Sequence, residues 1–192
     1  MTKIMARPVG TYLRVRRMLS GKPAAVNISS QLSTAENVLI LLPQQVEQYS
    51  MALNSLKKLC SVKANWTITV VSPLKMVGFI DKNLKVKILP FSVDDLNVVG
   101  LPRPSIKQLL LNNQFDLALD FGLKFDLISV ALVEASGAAV KICIDNSMKT
   151  PFFNFVVRVD SSDSVQDKYD ILVKYVTQLS ETPTRQTQPV KN

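Results

Sequence analysis

Residues 115–145 read FDLALDFGLKFDLISVALVEASGAAVKICID, and this stretch decides the fold. Phe115 to Asp120 is a short apolar run ending on a carboxylate, the pattern of a buried strand. Gly122 breaks it. Asp126 to Ser136 has the composition of an amphipathic helix, Gly137 stops that helix, and Ala139 to Ile144 is the next strand. Strand, turn, helix and strand in this order form a βαβ unit. Such units build parallel sheets, and those sheets bind ligands at the carboxyl ends of their strands.

The pattern continues on both sides. Val38 to Leu42 is a continuous apolar run, as expected of a strand buried on both faces. Pro43 to Gln45 turns the chain, and Val46 to Leu59 carries helical periodicity through Val46, Met51, Leu53, Leu56 and Leu59. Trp66 to Val71 is a strand rich in β-branched residues, closed by Ser72-Pro73. Lys85 to Leu89 is a shorter one. Gly100 to Pro104 is a rigid turn, after which Ser105 is expected to cap a helix reaching Leu111. Phe153 to Val159 reads as a last strand and Val165 to Leu179 as a terminal helix. Strands alternating with helices imply an α/β, doubly wound, mostly parallel sheet of Rossmann-like type. The expected organisation is a basic N-terminal arm over residues 1–35, an α/β domain over 36–180 and a disordered tail over 181–192.

Composition narrows the chemistry. The chain has 192 residues, enough for one domain with a core of its own. It contains no histidine, so Ser-His and Cys-His nucleophile chemistry is closed to it. Its two cysteines, Cys60 and Cys143, are far apart and read as buried thiols in a reducing compartment. The net charge of +8 is concentrated in Lys3, Arg7, Arg14, Arg16, Arg17 and Lys22, with no acidic residue before Glu36. Thr11 to Leu19 could form a short helix with its arginines on one side. This arm reads as a solvated extension or as a contact for an anionic membrane surface or a protein partner. Each cation near such a surface contributes about 1 kcal/mol. Tyr12 is its only aromatic residue, so the arm lacks the stacking platform of a nucleic-acid binder. No apolar stretch is long enough to span a bilayer. The expected location is cytoplasmic, peripheral to the inner membrane.

No cofactor or metal is expected. G-x-G-x-x-G and Walker A sequences are absent, and the turn Pro43 to Gln48 has no glycine that would let backbone approach a pyrophosphate. Asp94-Asp95 and Asp160 with Asp163 lack the spacing and central glycine of a calcium loop. The carboxyl edge of the sheet should gather Gln44, Gln45, Gln48, Ser72, Phe91, Ser92, Asp120, Gly122, Asp145 and Asn146. One reading is a small-molecule crevice in which Asp120 and Asp145 accept hydroxyls of a sugar-like ligand. The plainer reading is that strands end in polar residues because they end in water.

With these residues in view, the chain resembles the N-terminal domain of bacterial heptosyltransferases of glycosyltransferase family 9. Val38 to Leu42 resembles their opening strand, and Ser55 to Leu59 the end of their first helix. Phe115 to Asp120 resembles the "fDlaiDlq" strand, Ala135 to Lys141 the "lsGAkvri" turn, and Val165 to Leu172 the helix leading to the second domain. It is also similar to a group of small uncharacterised single-domain proteins of the Bacteroidota with a basic N-terminal helix. Phe91 to Asn97, Gly100 to Pro102 and Phe115 to Asp120 carry that second likeness.

The resemblance implies a half-domain of GT-B type. The enzymes carry a Gly-Asp pair after the first strand, with the Asp as catalytic base. Here Glu47-Gln48 stands in that place. An amide cannot take a proton from an acceptor hydroxyl, and Glu47 is turned by about 100° along a helix. The donor sugar in that family binds mainly to the C-terminal domain. Positioning both substrates can supply roughly 7–11 kcal/mol of barrier lowering, which half of such an enzyme forgoes. The resulting expectation is a non-catalytic binding or scaffolding protein. The alternative is the acceptor half of a split glycosyltransferase for cell-envelope glycans, with Glu47 as base. A further alternative is a ligand-binding regulator using Asp120 and Asp145.

The full chain is expected to bind anionic liposomes at low salt and to lose that binding when residues 1–22 are removed. Unchanged binding after truncation would rule the arm out.

Overall fold

The computed structural model describes residues 27–98 and 100–181. The arm's helix over residues 11–19, its cations Lys3 to Lys22, and residues 182–192 lie outside them. Six strands form one sheet: β1 (Asn37–Leu41), β2 (Thr67–Pro73), β3 (Val86–Phe91), β4 (Leu117–Asp120), β5 (Val140–Ile144) and β6 (Phe155–Val157). All five pairings are parallel, in the order β3-β2-β1-β4-β5-β6. The chain starts at the centre, winds outward one way through β2 and β3, then returns to β4 and winds the other way. Its switch point falls between β1 and β4, the crevice position of a doubly wound sheet.

The central strands are apolar on both sides because helices cover both faces. One face carries Val38, Ile40, Ile68, Val70, Leu117 and Leu119. It is packed by α1 (Ile28–Ser33), α2 (Val46–Val62) and α5 (Val165–Glu181), which supply Leu32, Leu56, Leu59 and Tyr169. Tyr169 also stacks on Phe121 with ring centroids 5.7 Å apart. The other face carries Leu39, Leu41, Ala118 and Cys143 against α3 (Pro104–Asn112) and α4 (Leu127–Ala135). Polar groups hold the ends. Asp116 Oδ2 accepts the backbone N–H of Glu36 at 2.9 Å and of Asn37 at 2.8 Å, fixing the start of β1 beside β4. Asp126 caps α4 by accepting from the N–H groups of Ile128 and Ser129. Gly137, at φ +68°, ends it in the left-handed region that favours glycine.

Several boundaries differ from the sequence expectation, each for a local reason. Residues 27–35 belong to the body, not to the arm. Asn27 caps α1 through Ser30 N–H, and Leu32 is buried against the core. The helix expected to be capped by Ser105 starts instead at Pro104, with Arg103 as its N-cap residue. Proline's fixed φ suits the first helical position, where its missing N–H costs nothing. Strand β3 runs on to Phe91 through Pro90, which an edge strand tolerates. Strand β6 is shorter than expected because Asn154 substitutes for strand pairing. Its Oδ1 accepts from Lys141 N–H and its Nδ2 donates to Ala139 O. Phe152 and Phe153 are thereby released to pack on the second face. No helix among the described residues is long and apolar enough to cross a membrane.

Leu119 is fully buried at the centre of β4. Leu119→Ala is expected to cost about 2–5 kcal/mol, from lost transfer energy plus the cavity left behind. Urea unfolding checks this, and a loss below about 1 kcal/mol would show that the site collapses or is not core.

Candidate functional site

The carboxyl edge of the sheet divides into two unlike parts. The first is built around Asp120, the last residue of β4. Lys149, in the turn after β5, donates from Nζ to Asp120 Oδ2 at 2.7 Å and also to the Gly122 carbonyl. The Gly122 N–H donates to Asp120 Oδ1 at 2.8 Å. The two charged side chains are 0% and 1% exposed. A buried pair of this kind persists only where geometry and further hydrogen bonds offset the cost of removing both charges from water. Here the carboxylate is bonded at both oxygens. Glycine is required at 122 for space: an added Cβ would lie 3.1 Å from Asp120 Oδ1 and 3.4 Å from Lys149 Nζ. Cys143 lies beside Asp120 in register and is buried. Burial pushes its thiol up to about 12, so it stays protonated and unreactive. Cys60 is half-buried, and burial raises its thiol as well.

The second part is a cavity of about 460 Å³ on the second face, under the carboxyl ends of β1, β2 and β3. Its existence follows from the connections. The link from β2 to β3 is a 3-10 segment, Leu74–Phe79, rather than a long helix. Helices α3 and α4 pack together on the same face, with α4 against β4. The space left beside α4 is walled by Leu41, Val71, Phe91 and Leu132, with Gln44, Lys75, Ser92 and Ser129 as its polar members.

The residues expected at the crevice are distributed between these parts and elsewhere. Gln44 and Ser92 line the cavity. Asp120 and Gly122 form the ion-pair cluster. Ser72 points to the first face, where its Oγ lies 2.6 Å from the Tyr49 hydroxyl in a buried contact. Gln45 is the exposed N-cap residue of α2. Glu47 is exposed in the first turn of α2, and Gln48 is half-buried with its Oε1 lacking a hydrogen-bond partner among the described residues. Asp145 is exposed at the end of β5, its backbone N–H bonded to Val157 O. Sequence reasoning placed Phe91 at this edge but missed Lys149 and the apolar walls Leu41, Val71 and Leu132. The alternation along β2 carries part of the missing signal. Ile68, Val70 and Ser72 share one face, so Ser72 follows the apolar residues toward Tyr49 while Val71 faces the cavity.

The architecture is that of a Rossmann-like half-domain similar to one half of the heptosyltransferase fold. Escherichia coli heptosyltransferase WaaC with ADP superposes with a TM-score of 0.57 at 15% identity, covering 79% of this chain and 49% of the enzyme. E. coli ADP-heptose lipopolysaccharide heptosyltransferase II gives 0.56 at 18% identity, with 81% and 45% covered. The family 9 glycosyltransferase from Veillonella parvula gives 0.54 at 12% identity, with 76% and 42% covered. The chain therefore spans about half the length of the solved structures it matches. No curated protein matches it. Residues 14–179 match DUF6913, a family of unknown function, and the chain belongs to that family.

Lys149→Met leaves an unpaired buried carboxylate and is expected to cost about 3–5 kcal/mol at neutral pH. Asp120→Asn combined with Lys149→Met removes both charges but keeps an acceptor for Gly122 N–H. The double variant should therefore be more stable than Lys149→Met alone in urea unfolding. A double variant no more stable than the single would contradict a coupled buried pair.

Proposed function

We propose that this protein is a non-catalytic heptosyltransferase-like half-domain that binds or scaffolds, held near a cytoplasmic membrane face by its basic N-terminal arm. The observation that carries this reading is the commitment of Asp120. At the centre of the edge where a GT-B half meets its substrates, this carboxylate is neutralised by Lys149 and bonded to Gly122. Both of its oxygens are engaged and it is 1% exposed, so it presents no open carboxylate to an acceptor sugar. Gln48 supports the same reading, because an amide occupies the place where the resemblance puts the base.

A second reading is favoured by Glu47, a carboxylate exposed in the first turn of α2. It is the acceptor half of a split glycosyltransferase, with a separate chain supplying the donor site.

The purified chain is expected to release no nucleoside diphosphate from ADP- or UDP-sugars, with or without a glycan acceptor. Measurable release that disappears in Glu47→Gln would overturn the non-catalytic reading in favour of an enzyme.

A further inference from the structure

The cavity beside α4 is apolar apart from Gln44, Lys75, Ser92 and Ser129; Ser92 and Ser129 have spent their hydroxyl protons, and Gln44 one of its two amide N–H groups, on carboxylates outside its lining. Ser129 Oγ donates to Asp126 Oδ2 at 2.8 Å, and Gln44 Nε2 donates to the same oxygen at 3.0 Å. Ser92 Oγ donates to Asp95 Oδ2 at 3.2 Å and accepts from Asp94 N–H. Asp126 and Asp95 thus draw the wall's hydroxyl and amide donors toward themselves. Lys75 differs. It is exposed at the mouth, and among the described residues it makes no ion pair or hydrogen bond.

A polyhydroxylated ligand placed here would leave most of its hydroxyls against Leu41, Val71, Phe91 and Leu132, and buried polar groups without partners are unfavourable. A ligand with one anionic group and an apolar body matches the walls instead. The volume of about 460 Å³ lies within the range of small-molecule sites. We propose that this cavity binds a small amphiphilic carboxylate, with its apolar chain against Leu41, Val71, Phe91 and Leu132 and its carboxylate at the Lys75 ammonium. This goes beyond the binding role proposed above and stands apart from the question of catalysis. Nucleoside diphosphate release would sink that reading and leave this one intact.

Titration calorimetry of the full chain with octanoate, decanoate and dodecanoate, each below its aggregation concentration, tests the proposal. Dodecyltrimethylammonium and methyl glucoside serve as charge and polarity controls. Affinity should rise with chain length by up to about fourfold per buried methylene. Lys75→Glu should weaken carboxylate binding by about tenfold or more. Ile128→Trp, which fills the cavity from a half-exposed position, should abolish binding with the fold retained by circular dichroism. No carboxylate binding, equal binding of the ammonium amphiphile, tighter binding of the glucoside, or carboxylate binding unchanged in Ile128→Trp would each overturn it.

Discussion

The buried pair between Asp120 and Lys149 is the constraint on which the carboxyl edge depends. Strand β4 leaves the sheet at Asp120, and the chain must turn at once to enter α4. The carboxylate accepts Gly122 N–H with one oxygen and the Lys149 ammonium with the other, while the ammonium also holds the Gly122 carbonyl. One cluster thereby ties the β4 turn to the turn after β5. It satisfies backbone groups that would otherwise be buried without partners. The cost is chemical: a carboxylate fixed and buried in this way is withdrawn from the surface where a ligand would meet it.

Strand β4 carries an acid at each end of its apolar run, and each has a structural task. Asp116 fixes the entry of β1 at the amino edge, and Asp120 fixes the exit of β4 at the carboxyl edge. The likeness to heptosyltransferases, at 12–18% identity, is a likeness of fold. The edge of this chain has its own character, with Asp120 buried in an ion pair and apolar walls around the space beside α4. Fold by itself does not specify function, and the site has to be argued from its own residues.

The fold was legible where the local signal was strong. The run from Phe115 to Ile144 announces itself through apolar strands, a helix between them and Gly137 at its end. The two-sided burial of β1 was equally plain, because Val38 to Leu42 contains no polar residue. Strand order was not legible, since it is set by pairings between residues distant in sequence. Helix α1 escaped notice because six residues with one core side chain, Leu32, carry too little periodicity. Lys149 was hidden for a different reason. In the polar stretch Asn146 to Thr150 a lysine reads as solvated, and nothing local reveals a carboxylate 29 residues away in the chain. The cavity was half legible: Gln44, Phe91 and Ser92 were read as edge residues and line it, but Leu41, Val71 and Leu132 were indistinguishable from ordinary core.

The account rests on a carboxyl edge that is closed and dry at Asp120 in the native molecule. Amide hydrogen exchange at Gly122 tests this most directly, because its N–H is bonded to Asp120 Oδ1 within the buried cluster. Exchange there should require the same free energy as global unfolding, as for amides in the centre of the sheet. Exchange of Gly122 at the rate of an exposed loop amide would contradict it and return Asp120 to the list of groups open to a ligand.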